Sequence, residues 1–194
     1  MALVKYLCEH KNISILKRCV ETSNINQDCS QTVADEILNL LKIFNTACEF
    51  GHKNIVIYVY DNFLNNIANK HLPLVKKSID KAFVNSISYR QNKIAKYLYK
   101  IGANINYDNN KALLIASSGN LDGVKFLCKN GIDVQCSNNQ AIIVAASCNK
   151  LAIVKCLVKY GADCMTQENE AIILASANGN IDVVKYLIKL GANP

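Results

Sequence analysis

Residues 141–163 read AIIVAASCNKLAIVKCLVKYGAD, and residues 171–193 read AIILASANGNIDVVKYLIKLGAN. A third copy, residues 111–133, reads KALLIASSGNLDGVKFLCKNGID, so the three copies match without a gap at a spacing of 30 residues. Self-similarity at a fixed period of this size is typical of stacked supersecondary units. The repeat therefore predicts the fold before any single residue is considered.

Each copy predicts two short helices. The first helix of the last copy ends in a small pair, Ala175-Ser176, which lets a neighbouring helix approach closely. The second helix is expected to be capped by Asn180 and ended by a left-handed Gly191. The three-and-four spacing of Ile181, Val184, Leu187 and Ile188 predicts that these residues form its buried face. A helix pair of this size cannot bury its own apolar face, so neighbouring pairs must stack on it.

Weaker copies extend the pattern toward the N-terminus. The sequence predicts a single all-α array of about six units, near residues 3–26, 43–60, 82–106, 111–135, 141–165 and 171–194. Two longer spacers, residues 27–42 and 61–81, interrupt its N-terminal half. Apolar residues at helical spacing predict longer or extra helices in both spacers, and Pro73 is expected to end one helix or open the next.

At these positions the chain resembles the ankyrin repeat family, over nearly its whole length apart from the two spacers. The residues that carry the resemblance are the small pair Ala145-Ala146, the turn Gly179-Asn180, the core Val183-Val184-Lys185 and the terminator Gly191-Ala192-Asn193. The family's Thr-Pro-Leu-His start is replaced, and the unit is about three residues shorter than the usual ~33, which shortens the projecting β-turn finger. The Asn-, Ile- and Lys-rich composition is similar to ankyrin arrays of large DNA viruses and some intracellular microbes. The resemblance implies a solenoid of stacked helix–turn–helix units.

The resemblance also implies a function: binding another protein across the surface lined by first helices and fingers, without catalysis or a cofactor. The candidate partner-binding residues are the two positions after each small pair, namely Glu9, His10, Glu49, Phe50, Ser88, Tyr89, Ser117, Ser118, Ser147, Cys148, Ala177 and Asn178. Phe50 and Tyr89 are the expected anchors because aromatic side chains dominate interface energetics. The alternative is that both pack under the neighbouring spacers.

Lysines on the second helices suggest an alternative to protein binding, a function of a different class. Two lysines four residues apart recur in each of four helices: Lys96, Lys100, Lys125, Lys129, Lys155, Lys159, Lys185 and Lys189. A basic stripe of this kind is able to follow nucleic acid or an acidic membrane. Nucleic acid is disfavoured because the sequence shows no aromatic-rich or arginine-rich surface beside the lysines. The other interpretation is a solvated face whose lysines complement helix C-termini.

Composition narrows the class of protein. A net charge of +7 and 51% hydrophobic residues fit a folded chain that favours acidic partners. The nine cysteines form no compact secreted framework, so reduced thiols and a cytoplasmic location are expected, in a host cell if the chain is viral. No apolar run is long enough to span a bilayer.

Cysteine and histidine recur together at the ends of the first two units. Cys8 with His10 and Cys48 with His52 have the residue types of a zinc site, and Cys48 with His52 those of a nucleophile and its base. Both cysteines, however, stand where other copies have a small buried residue. Packing is therefore expected, with no metal and no enzyme.

The array has no polar cap after its last unit. Leu187, Leu190 and Ile173 are therefore expected to be partly exposed. This predicts either self-association through that end or a chain that is a fragment of a longer array.

Overall fold

A computed structural model describes residues 29–65 and 72–192 of the chain. Within these ranges the chain forms ten α-helices and no strand, which confirms the all-α prediction. The chain divides into two compact units, Met1–Ala82 and Phe83–Pro194. The predicted repeat at residues 3–26 lies outside the described residues.

The first unit begins, in its described part, with a long helix, α1 (Cys29–Glu49). Its buried residues Ile37, Leu41, Phe44 and Cys48 follow the three-and-four spacing of a single helical face. The helix α2 (Lys53–Val59) packs against α1 and continues into a π-helical turn, Tyr60–Leu64. Most of the predicted spacer 27–42 is therefore the first half of α1, and the predicted unit near 43–60 begins inside that helix.

The second long helix, α3 (Leu72–Ser88), absorbs much of the other spacer. Pro73 is its second residue, a position where the missing N–H costs nothing, so the prediction that Pro73 opens a helix is confirmed. The side chains of Asn45 and Ser78 link α1 to α3 through a hydrogen bond of 3.1 Å from Asn45 Nδ2 to Ser78 Oγ. Residues 29–42 and 72–81 of the spacers thus extend first helices, whereas residues 61–64 extend the second helix α2 as a π-helical turn.

The second unit contains the end of α3 and seven further helices. They are α4 (Asn92–Lys100), α5 (Tyr107–Ser117), α6 (Leu121–Lys129), α7 (Cys136–Ser147), α8 (Leu151–Lys159), α9 (Thr166–Ala177) and α10 (Ile181–Lys189). The first helix α7 packs against α5 and α9, and the second helix α8 packs against α6 and α10. Successive helix pairs therefore stack, as the repeat predicts. Their core is formed by residues at equivalent positions, such as Val124 and Val154, both 0% exposed.

A left-handed turn opens the first helix of each regular pair. Residues 108–110, 137–139 and 167–169 have positive φ, and the right-handed part of each helix begins at the next residue. The third residue is always Asn, which tolerates this conformation better than most residues. Asn110 Nδ2 donates to Asp133 O at 3.1 Å, and Asn139 Oδ1 accepts from Asp163 N at 2.8 Å. These compact turns stand where longer repeats would project a finger.

Buried asparagines join successive helix pairs at the start of second helices. Asn120 Nδ2 donates to Ile87 O at 3.0 Å, and Asn180 Nδ2 donates to Ala146 O at 2.8 Å. Asn120 also caps α6, but no side-chain hydrogen bond caps α10, so the predicted cap at Asn180 is wrong. The Asn180 side chain instead satisfies carbonyl groups at the end of α7, where a helix leaves its acceptors unpaired.

Candidate functional site

The candidate residues lie where first helices end and turn into second helices. In the second unit these turns are residues 89–91, 118–120, 148–150 and 178–180, called here the turn row. Tyr89 is 56% exposed. The other exposed candidates beside the turns are Ser88, Ser118, Cys148, Ala177 and Asn178, while Ser147 is half-buried. The turn row is thus an accessible strip with one large aromatic side chain at its start.

Ser117 departs from the expected pattern. The prediction that both positions after each small pair point away from the stacking core is wrong here, because Ser117 is 0% exposed. Its Oγ donates to Leu113 O at 2.8 Å, one helical turn earlier. Ser117 continues the buried face that contains Leu113, so it is not accessible to a partner.

In the first unit the structure describes two of the candidates. Phe50 is 69% exposed, and Glu49 is half-buried. The alternative that Phe50 and Tyr89 pack under neighbouring spacers is wrong, since both rings are largely in solvent. Glu9 and His10 lie outside the described residues.

Arg90 is a residue that the sequence analysis did not select. Its φ is 57°, a left-handed conformation that costs an ordinary side chain about 1 kcal/mol or more. Other turns use glycine at this place, with φ of 81° at Gly51 and 71° at Gly179. Glycine would adopt this conformation without strain, whereas arginine does not. An exposed arginine at this position therefore suggests a functional role for its side chain. In the sequence, the alignment of Arg90 with those glycines is the signal that could have identified it as a candidate.

The Arg90 and Lys150 side chains converge on Gly119, which lies in the turn between theirs. A Cβ placed on Gly119 would be 3.0 Å from Arg90 Nη2 and 3.4 Å from Lys150 Cε. Neither side chain forms an ion pair with an acid inside residues 29–65 and 72–192. Two cationic side chains therefore flank Gly119 in the turn row, and one of them, Arg90, follows Tyr89 directly in the sequence.

Comparison with known families matches residues 64–138 and 133–194 to a profile described as ankyrin repeats (3 copies). The chain belongs to the ankyrin repeat family. The comparison with curated proteins gave no match. Ankyrin repeats are generally protein-interaction modules. The turn row lies in the matched region: three of its turns join the helices of a pair, and the first turn follows the end of α3.

The lysines on the outer helices of the ankyrin pairs are all exposed. None of the eight forms an ion pair within the part of the chain that the structure describes. Aromatic rings do accompany them, contrary to the sequence-based expectation: Lys96 Nζ lies 6.0 Å from the Phe126 ring centre, and Lys155 Nζ lies 5.4 Å from that of Tyr186. Because both rings are half-buried and already hold a lysine, they offer little face to a nucleic-acid base.

Three of the six cysteines with described side chains are buried packing residues, namely Cys48, Cys128 and Cys164. Cys48 is 0% exposed, whereas His52 is exposed. Cys8 and His10, the other pair with zinc-site residue types, lie outside the described residues. Burial, with a smaller contribution from the neighbouring Cys156, raises the pKa of the Cys128 thiol to about 12. Such a thiol stays protonated at neutral pH and is a poor nucleophile. Among the described residues, no three potential metal ligands lie together.

No helix within residues 29–65 and 72–192 combines the length and the hydropathy needed to cross a bilayer.

Proposed function

We propose that this ankyrin protein binds a partner protein through the turn row and performs no catalysis. The observation that carries the proposal is the exposed pair Tyr89 and Arg90, in which Arg90 keeps a backbone conformation that glycine would adopt without strain. Tyrosine and arginine are among the residue types most enriched at interface hot spots. The strain at Arg90 is easier to explain if binding depends on its side chain.

The charge of the turn row indicates the chemistry of the partner. Arg90 and Lys150 bring two positive side chains together at Gly119 without an acid from the described residues. An arginine guanidinium binds a carboxylate through two parallel hydrogen bonds. The proposed partner therefore presents an acidic side chain beside an apolar surface that covers the Tyr89 ring.

The remaining candidates would form a rim of small polar contacts around this anchor. In the second unit these are Ser88, Ser118, Ser147, Cys148, Ala177 and Asn178. In the first unit Phe50, with the half-buried Glu49 beside it, is a separate candidate contact. Free thiols at Cys128, Cys148 and Cys164 are consistent with the proposed reducing, cytoplasmic location.

Two further surfaces support secondary proposals. The eight lysines of the second helices form no ion pair within residues 29–65 and 72–192, which favours binding of a nucleic acid or an acidic membrane as the alternative function. The exposed apolar end of the last helix pair, which includes Ile173 and Ile181, is proposed as a second association surface. Self-association is the use of that end that the sequence suggests.

Site-specific photo-crosslinking tests the main proposal. We expect a photoreactive phenylalanine analogue at position 89 to crosslink a discrete partner from a cell lysate. The same analogue at Tyr160, which is 44% exposed but lies outside the turn row, should not crosslink that partner. Equal crosslinking from both positions would contradict the proposal.

A further inference from the structure

Two cysteines face each other on second helices of successive units. Cys128 lies on α6 and Cys156 lies on α8, and these two helices pack against each other in the stack. A side-chain hydrogen bond joins the two thiols, with the Cys128 thiol as its donor. The folded chain therefore holds two sulfur atoms side by side, although 27 residues separate them in the sequence.

The register of the repeat places the same two positions in contact elsewhere in the stack. With the second helices aligned on their lysines, the equivalents of Cys128 and Cys156 one unit earlier are Tyr99 and Phe126. Those two rings meet edge to face, with their centres 5.6 Å apart. The contact between the thiols thus belongs to the way in which second helices stack, and only the side chains at the contact differ.

The two thiols differ in their access to solvent and in the charges around them. Cys128 is 5% exposed, whereas Cys156 is half-buried. Burial raises the pKa of the Cys156 thiol, while the exposed ammonium groups of Lys125 and Lys159 and the hydrogen bond from Cys128 oppose that rise. Cys156 is therefore the thiol that a reagent in solution reaches first, and Cys128 is the thiol held behind it.

We propose that Cys128 and Cys156 form a redox-modification site, at which an anionic low-molecular-weight disulfide of the glutathione type converts the two thiols into a disulfide. The two lysines beside Cys156 favour an oxidant that carries carboxylates. The hydrogen-bonded thiol favours closure to a disulfide over a lasting adduct on Cys156. The site lies on the second helices, so it is independent of the proposed binding through the turn row.

The chemistry has two steps. The Cys156 thiolate attacks one sulfur of the oxidant, so that a bond forms between these sulfurs and the S–S bond of the oxidant breaks, releasing a thiolate. The Cys128 sulfur then attacks Cys156 and displaces the second half of the oxidant as a thiolate. The two protons lost by the cysteines pass through water to the two released thiolates. The cysteines lose two electrons in total, and the oxidant gains them.

Proximity makes the second step possible. The Cys128 thiol is a poor nucleophile because it stays protonated at neutral pH. Its position against Cys156 gives it a high effective concentration, which offsets its low acidity. The disulfide closes the loop that contains α7 and the turn at residues 148–150. It therefore ties two successive helix pairs of the stack together.

Peptide mapping of the 194-residue chain tests the proposal. The folded chain is incubated with glutathione disulfide, its remaining thiols are blocked, and it is digested with trypsin without reduction. We expect a disulfide that links residues 126–129, FLCK, to residues 156–159, CLVK. It should be about tenfold more abundant than any linked peptide that contains the exposed Cys148, because Cys156 has its partner thiol in contact. The product should be monomeric on a non-reducing gel.

Two variants separate the roles of the thiols. In Cys128→Ala the second step is absent, so a glutathione adduct should accumulate on Cys156. In Cys156→Ala the buried Cys128 should remain without an adduct. Circular dichroism checks that each variant is folded, and the linked peptide from the natural chain decides the proposal if either variant is not.

Three results would overturn the proposal. The first is a stable glutathione adduct on Cys156 of the natural chain with no linked peptide. The second is the same yield of linked peptide from chain unfolded in urea, since the folded contact would then be irrelevant. The third is linked peptide found only in covalent dimers. Equal adduct formation in the two variants would overturn the assignment of Cys156 as the thiol that reacts first.

Discussion

Asn120 and Gly123 depend on each other at the start of α6. Asn120 Oδ1 accepts a hydrogen bond of 3.0 Å from Gly123 N, and a Cβ on Gly123 would lie 2.7 Å from Asn120 Nδ2. The equivalent of Gly123 in α10 is Val183, which has a Cβ. The Asn180 side chain makes no such cap and donates instead to Ala146 O and Ser147 O.

Removal of the Asn120 side chain should destabilise the second unit. We expect Asn120→Ala to lower the free energy of unfolding by about 2 kcal/mol, because the cap is lost and the buried Ile87 carbonyl loses a donor. Asn178→Ala removes one exposed hydrogen bond, from Asn178 Nδ2 to Ser147 O, and should change it by at most about 0.5–1 kcal/mol. Urea denaturation measures both, and equal effects of the two changes would contradict the packing described.

The interaction of Asn120 with Gly123 predicts that the effect of Gly123→Ala on stability changes sign when the Asn120 side chain is removed. In the natural chain Gly123→Ala should destabilise, because the new methyl group displaces the Asn120 side chain. In an Asn120→Ala background the same change should stabilise by about 0.5–1 kcal/mol, since alanine is the better helix former. A double-mutant cycle measures this coupling. Additive effects would show that the two residues do not interact.

The sequence predicted the regular part of the fold because its signals are local. The short paired helices, the buried valines equivalent to Val184 and the role of Pro73 follow from spacing and propensity. The prediction that Ile181 and Ile188 lie on the buried face of α10 is wrong, because they are 63% and 48% exposed.

Prediction from the sequence failed where the outcome depends on a neighbour. Spacing places Asn180 at the N-cap but does not give the orientation of its side chain, which donates to carbonyl groups of the preceding pair, and the burial of Leu187 depends on packing within its own pair. Leu187 is 0% exposed, so the prediction that it is partly exposed is wrong, while Ile173 and Leu190 are 52% and 36% exposed.

Arg90 and Asn149 share a left-handed backbone at equivalent turns, with φ of 57° at both. We expect Arg90→Gly to raise the free energy of unfolding by about 1 kcal/mol by relieving strain. Asn149→Gly should have a smaller effect, because asparagine tolerates this conformation. Thermal or urea denaturation measures the difference.

The same two variants separate folding from binding at the turn row. Arg90→Gly should weaken partner capture although it stabilises the chain, whereas Asn149→Gly should leave capture unchanged. Retention of the partner by Arg90→Gly would show that the Arg90 side chain is not a contact.

The buried thiol of Cys128 predicts a dependence of stability on alkaline pH. Burial raises its pKa to about 12, whereas a thiol in an unfolded chain titrates near 8.5. The folded state therefore holds its proton over a range where the unfolded state loses it. The contribution to stability is present below about pH 8.5 and is lost as pH rises toward about 12.

A matched pair of cysteine variants checks this dependence. Cys128→Ala should make the fall in stability between pH 8 and pH 10 less steep, whereas Cys148→Ala, at an exposed position, should not. The slope is the measured quantity, because the loss of packing at Cys128 changes stability at every pH. Equal slopes for the natural chain and Cys128→Ala would contradict the prediction.

The candidate site was only partly predictable. Phe50 and Tyr89 were selected from their place after the small pair, and their exposure follows from that place. Arg90 was missed because its significance lies in a backbone angle, and its approach to Lys150 at Gly119 requires three successive turns to be in position. Ser117 was included wrongly because this last residue of α5 faces the core, whereas the equivalent residues Ser88 and Ala177 are exposed.

Quantitative affinity capture with three forms of the 194-residue chain tests whether the exposed aromatic residues or the lysines hold the partner. The forms are the natural chain, a Phe50→Ala, Tyr89→Ala double variant, and a variant with Lys125, Lys155 and Lys185 each changed to Glu. We expect a protein that the natural chain and the lysine variant retain and that the double-alanine variant loses. Loss of that protein from the lysine variant together with its retention by the double-alanine variant would contradict the proposed function.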